Sequence, residues 1–266
     1  MTGESMTDES MTAEILPGLG AIGEDRLLGG QLRLLQPKKG HRAGSDAILL
    51  AAALPALAEG PLVDFGAGVG TAGLAAATRQ PALSVVLVER DPELAALAAR
   101  NAGLNGLDQR VRVVLAAIGE RGDGALLAGL PDGSAAWVAM NPPFFEAGAT
   151  RASPVPNRRA AHVADTPLTL WLKAARRALR PRGGVTIIHR AEALGEILAA
   201  LATGFGEVAI RPVQALAERP AIRVIVSARL GSRKPAVLLP ALILNGPDGG
   251  FTPQSEALHR GEAYLA

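Results

Sequence analysis

Five short apolar runs, LVDF (62–65), SVVLVE (84–89), RVRVVLAA (110–117), AAWVAMN (135–141) and GGVTIIH (183–189), recur along the chain with other segments between them. Runs that are continuously apolar, rather than alternating, suit strands covered on both faces, and that means a parallel sheet between helical layers. The segment between the second and third runs is the clearest connection. Asp91 can cap a helix, Pro92 suits its first position, and Leu94, Leu97, Ala98, Asn101 and Leu104 share one face before Gly103 and Asn105-Gly106 end it. A strand–helix–strand crossover is therefore predicted there.

Beyond Leu201 the order changes. GEVAIRPV (206–213) and AIRVIVSARL (221–230) are separated by QALAERP, too short for a crossover helix, so they are expected to pair antiparallel at a sheet edge. Near the amino terminus, LLGGQLRLL (27–35) alternates Leu32 and Leu34 with Gln31 and Arg33 around Gly29-Gly30, which predicts a small hairpin. A helix that Ser45 or Asp46 can cap follows it. The first twenty residues, with GESMT and then DESMT, are small, polar and acidic and are expected to be disordered. The predicted organisation is a tail over 1–20, a hairpin-and-helix lid over 21–60, and one α/β domain over 61–266 whose last segment, from Pro235, has no assigned role.

Composition narrows the function classes. With no cysteine there is no disulfide framework, thiolate zinc site or cysteine nucleophile. His41, His162, His189 and His259 lie far apart and show no metal-ligand spacing, so no metal is expected; surface or loop roles suit three of them, while His162 could touch substrate. The longest apolar run, Ala47 to Ala58, is broken by Pro55 and is too short for a bilayer, and the acidic amino terminus lacks a signal-like segment. These features predict a soluble, cytoplasmic protein. Tyr, Trp and Phe make up 3% of the chain, so each aromatic side chain carries more information than usual.

Two motifs carry chemistry. LVDFGAGVGTAG (62–73) takes a strand into a glycine-rich turn and then a helix, a place where backbone can approach a nucleotide-like cofactor closely. Two registers fit: Asp64 with Gly66, Gly68 and Gly70 suits a methyl-donor loop, whereas Gly68, Gly70 and Gly73 formally match a dinucleotide fingerprint. The strand ends at Gly66, which favours the first register modestly; tight strand–helix packing alone also accounts for the glycines. Glu89, closing the next strand, suits a carboxylate gripping ribose hydroxyls in either cofactor.

The second motif, Asn141-Pro142-Pro143-Phe144, ends the fourth parallel strand, at the sheet edge where ligands bind. The Asn141 amide oxygen and the Pro142 carbonyl, aimed by a stiff proline pair, are two acceptors suited to one NH2 group. An amine on an aromatic base is a poor nucleophile because its lone pair is delocalised. Acceptors holding both hydrogens pull that nitrogen toward tetrahedral geometry and favour the charge that develops on it. Phe144 suits stacking on the base. A proline-stiffened loop with Phe144 and Phe145 in the core is the competing reading.

Together these motifs resemble class I S-adenosylmethionine-dependent methyltransferases with an Asn-Pro-Pro-aromatic site. LGGQLRLLQPKKGHRAGSDAILLAAA (28–53), DFGAGVG and MNPPFFEAG are similar to the bacterial tRNA (adenine N6)-methyltransferase family, over about residues 26–250. The resemblance implies a Rossmann-like, mostly parallel seven-stranded sheet with an antiparallel carboxyl-terminal edge hairpin and an amino-terminal hairpin and helix. It implies S-adenosyl-L-methionine held by Asp64, Gly66, Ala67, Gly68, Gly70, Glu89, Arg90 and the position of Ala117, and an amine site made by Asn141, Pro142, Pro143 and Phe144. Ala117 departs from the pattern, which usually has an acidic residue there to hold the adenine amine.

The implied partner is structured RNA, with tRNA foremost. Lys38, Lys39, His41 and Arg42 before the helix, and Arg151, Arg158 and Arg159 after the Asn-Pro-Pro-Phe turn, form a phosphate-binding rim if both loops overhang one cleft. Scattered, solvated arginines in an Arg-rich chain explain them equally well. Guanine N2 of ribosomal RNA and a protein glutamine amide are alternative acceptors, and an NAD-dependent oxidoreductase is the alternative from another class, although it leaves Asn141-Pro142-Pro143 without a task.

Overall fold

The computed structural model describes residues 15, 16, 18–39, 44–57, 60–118, 129–143 and 166–265. Each of the five apolar runs forms a strand of one sheet. These are β4 (Leu62–Phe65), β5 (Val85–Glu89), β6 (Val111–Leu115), β7 (Ala135–Met140) and β8 (Leu179–Arg190). They pair in parallel in the order β6-β5-β4-β7-β8. The order reverses at β4: the chain runs outward through β5 and β6, then returns to β7 on the other side. In an open α/β sheet this switch point leaves a crevice at the carboxyl ends of β4 and β7.

The expected antiparallel pair is present as β9 (Phe205–Gln214) and β10 (Ala221–Leu230). β10 lies inside, antiparallel to both β8 and β9, so the later strand fills the gap. The sheet has nine strands rather than seven, because β11 (Val237–Leu238) and β12 (Leu242–Ile243) from the carboxyl-terminal segment both pair with β9. That segment had no assigned role; its first part covers the backbone edge of β9.

Helices α1 (Ser45–Ala52), α2 (Thr71–Arg79), α3 (Pro92–Leu104), α4 (Leu168–Ala178), α5 (Leu194–Leu201) and α6 (Pro253–Arg260) accompany the sheet. Aliphatic residues form a buried cluster on each face, one around α1, α2 and α3 and the other around α4 and α5. At α3 the Asp91 carboxylate accepts from the Glu93 and Leu94 amides, with Pro92 in the first turn, as predicted. At α1 the expected cap does not form: Gly44 is the N-cap, and Asp46 instead pairs with Arg223 of β10 at 2.9 Å. A guanidinium within reach outcompetes backbone amides for the carboxylate.

The amino-terminal hairpin is longer than its sequence pattern suggests, joining β2 (Gly20–Leu27) to β3 (Leu32–Pro37) through a 3-10 turn at Leu28–Gly30. β1 (Ile15–Leu16) adds a third strand, so the disorder expected for the first twenty residues does not extend to it. Leu32 and Leu34 are buried, while Arg33 is exposed and pairs with Glu24, so the alternation reads correctly. The hairpin is docked firmly. Asn101 of α3 accepts from the Leu35 amide at 2.8 Å and donates to the carbonyls of Leu35 and Val69, tying the hairpin to the glycine-rich turn. Asn105 makes the equivalent pair of bonds to Arg33.

The chain then closes on itself. α6 packs against α1 and the 3-10 turn, the Leu265 amide donates to the Ala52 carbonyl, and the Tyr264 hydroxyl donates to the Arg79 carbonyl. His189, assigned above to a surface or loop role, is instead buried in β8, and burial pushes its pKa down. His259 lies on α6 and stacks on Phe251 at 4.5 Å. His41 and His162 lie outside the described residues.

Candidate active site

Gly66 immediately follows β4, so the strand ends where the methyl-donor register requires. Gly66, Gly68 and Gly70 all have positive φ, at 69°, 58° and 91°. Side chains rarely adopt this conformation, and a Cβ on Gly66 would also sit 2.7 Å from the Trp171 ring. Gly68 faces open space. The turn is pinned to β5, because the Gly66 and Ala67 amides both donate to the Val88 carbonyl. Gly70 then caps α2.

Two carboxylates hold this turn from beneath. Asp64 is buried, and its Oδ2 accepts from the Gly73 amide at 2.8 Å. Burial raises its pKa to about 7; the Gly73 bond opposes the rise, and the charge of Glu89 adds to it. Glu89 accepts three backbone bonds, from Gly68 to Oε2 at 2.8 Å and from Arg90 and Asp91 to Oε1 at 2.9 Å. An ionised carboxylate offers about four lone-pair directions. One remains, so gripping two ribose hydroxyls requires the Gly68 amide to let go. Ala117 follows Ala116, whose amide donates to the Glu89 carbonyl at 2.9 Å, and it is half-buried beside that strand end.

Met140 pairs in register with Phe65, so Asn141 leaves β7 beside Gly66. Its Oδ1 is buried and has no hydrogen-bond partner. An orphaned buried acceptor costs about 1–3 kcal/mol, and a donor from a bound group would offset that cost. Pro142 is buried and Pro143 half-buried, so the proline pair is a packed support rather than a solvated turn. Trp171 of α4, against Gly66, also has a buried ring nitrogen without a partner. Sequence reading missed Trp171; its only signal was the scarcity of aromatics.

The structure thus brings Asp64, Gly66, Ala67, Gly68, Gly70, Glu89, Arg90 and Asn141 with its two prolines to the carboxyl ends of adjacent strands. Lys38 and Lys39 are exposed at the end of β3. Phe144, His41, Arg42, Arg151, Arg158 and Arg159 lie outside the described residues.

A family model, the methyltransferase small domain, matches residues 41–214. The chain belongs to that family. Among solved structures, it is similar to a predicted O-methyltransferase from Agrobacterium tumefaciens, at 30% identity and a TM-score of 0.70, covering 83% of this chain and 98% of that one. A tRNA (m1A58) methyltransferase from Aquifex aeolicus shares the fold, with a TM-score of 0.50 at 16% identity over 73% of this chain and 71% of that one. No curated protein matches. The small-domain methyltransferase is Rossmann-like, as its sheet order shows, and its cofactor is S-adenosyl-L-methionine. The dinucleotide register at Gly68 is set aside with the oxidoreductase reading. Among the described residues of this methyltransferase, no helix is long and apolar enough to cross a membrane.

Proposed function

We propose that the protein transfers a methyl group from S-adenosyl-L-methionine to the exocyclic amine of a nucleobase in structured RNA, with adenine N6 of a tRNA as the acceptor. The observation that carries this reading is the buried, unpartnered Asn141 Oδ1 beside the glycine-rich turn. It is an acceptor waiting for a donor, and the amine of a flat base is such a donor.

The bound cofactor supplies an electrophilic methyl on a sulfonium. Asn141 Oδ1 and the Pro142 carbonyl accept the two amine hydrogens, which localises the nitrogen lone pair and favours the positive charge that forms as the methyl arrives. Pro142 and Pro143 hold those acceptors without reorganisation. Phe144 stacks on the base, and the surplus proton leaves the product nitrogen for water. Lys38, Lys39, His41 and Arg42 on one side, with Arg151, Arg158 and Arg159 on the other, hold RNA phosphates.

The test is methyl incorporation from tritiated S-adenosylmethionine into total RNA and, separately, total protein, followed by nucleoside mass spectrometry. N6-methyladenosine in tRNA is expected, and Asn141→Ala should lower its formation about 10²–10³-fold in a protein that still folds. Label in N2-methylguanosine points to ribosomal guanine instead, and label in protein points to a glutamine amide. Undiminished transfer by Asn141→Ala refutes the assigned role.

A further inference from the structure

A second polar recess lies at the opposite ends of the strands from Asn141. It is a cleft of ≈210 Å³ lined by Arg180 and Arg182 at the start of β8, Arg229 at the end of β10, Trp137 near the start of β7, and the Pro55–Leu57 loop. Among the described residues, no carboxylate forms an ion pair with any of the three arginines. Glu207 does feel the charge of Arg229, but its carboxylate is held by Lys234 at 3.1 Å.

The cleft is built rather than incidental. The Arg229 guanidinium lies over the Trp137 ring at 4.7 Å, and its Nη1 donates to the Arg182 carbonyl at 3.2 Å. Arg182 has a φ of 63°, an unfavourable backbone for a residue with a side chain. The two following glycines leave no room: a Cβ on Gly184 would meet the Trp137 ring at 2.3 Å, and one on Gly183 would meet the Ala136 carbonyl at 3.0 Å. Glycine would be the unstrained choice at 182 as well. The chain keeps an arginine there, in a turn that orients Arg229 and packs on the ring that floors the cleft.

We propose that this cleft binds a backbone phosphate of the substrate RNA at a point remote from the methylated base. The inference rests on the RNA reading given above. Three guanidinium groups lining one recess without carboxylate partners, one of them held in place by Trp137 and the Arg182 carbonyl, match a phosphodiester in charge and hydrogen-bonding capacity. Trp137 and Asn141 lie at opposite ends of β7, which is buried along its whole length, so a ligand reaching both must pass round the outside of the sheet, a path longer than the ~13 Å of strand between them at roughly 3.3 Å per residue. Such a path takes more than about four nucleotides at roughly 3.4 Å each, reachable by a structured RNA and not by a lone nucleotide.

The experiment measures binding of unfractionated tRNA across a salt series, with methyl-transfer kinetics and melting temperatures on the same proteins: wild type, Arg182→Gly, and the triple variant Arg180→Gln/Arg182→Gly/Arg229→Gln. Arg182→Gly relieves the strained backbone, so its Tm should hold or rise by about 2–4 °C while one phosphate contact is lost. The triple variant, which loses this one phosphate site, should lower the slope of log affinity against log salt by about 1 and weaken binding roughly tenfold at 0.1 M salt. KM for tRNA should rise while kcat and S-adenosylmethionine affinity stay unchanged. A folded triple variant that binds tRNA with the wild-type slope overturns this inference and leaves the RNA reading intact. Wild-type protein that neither binds nor methylates RNA overturns both. Stabilisation of wild type but not of Arg182→Gly by pyrophosphate, with RNA binding unaltered, marks a small-phosphate site and overturns the RNA assignment.

Discussion

Asp64→Asn should flatten the pH dependence of stability. In the unfolded chain this carboxyl loses its proton near its ordinary value of 3.8, whereas in the folded protein burial holds the proton until about 7. Between those values the folded state binds the extra proton. Stability from this group is therefore full below pH 3.8, declines as pH rises through the window, and levels off above about 7. The shift spans about three units at about 1.4 kcal/mol each, so the native state carries about 4 kcal/mol of penalty at pH 8 that it does not carry at pH 4. Asparagine has the same shape and keeps an oxygen for the Gly73 amide, but it does not ionise. Its second polar group has a fixed cost at every pH, which cancels when the comparison is made between pH values. Urea unfolding from pH 4 to pH 8 should show the variant gaining on wild type by about 4 kcal/mol across that range, or about 10 °C in Tm. Parallel curves for the two proteins would refute an uncharged, desolvated Asp64 beneath the glycine-rich turn.

Asn141→Ala should lower kcat by about 10²–10³-fold, as for loss of one preorganised polar contact, while Tm holds or rises because an unpartnered acceptor is removed; a cooperative unfolding curve beside the activity assay checks both. Gly66→Ala should destabilise by about 1–3 kcal/mol, since its Cβ meets Trp171 at 2.7 Å on a positive-φ backbone, and calorimetry with and without S-adenosylhomocysteine should show ligand stabilisation lost as well. Asn101→Ala should cost about 3 kcal/mol or more through three severed bonds, and hydrogen exchange should then find the hairpin amides around Leu35 less protected.

The sequence alone determined the layered α/β plan, because five short, mostly apolar runs have few other places to be buried; only the edge strand β6, with Arg112 and Leu115 exposed, is not covered throughout. It also placed the turn at Gly66 and the cap at Asp91, since both depend on residues within a few positions of one another. The position of Asn141 at the end of β7 was legible for the same reason, since it follows from where the apolar run stops. Other features depended on partners distant along the chain. Asp46 chose Arg223, 177 residues away, over its own helix; β10 entered the sheet ahead of β9; and the carboxyl-terminal segment found the exposed edge of β9 and the surface of α1. Trp171 against Gly66, and Trp137 beneath Arg229, likewise needed helix and strand to be packed first. Local hydrogen bonding and burial periodicity are written into neighbouring residues, whereas long-range pairing is decided by which charges and edges remain unsatisfied once the core has closed.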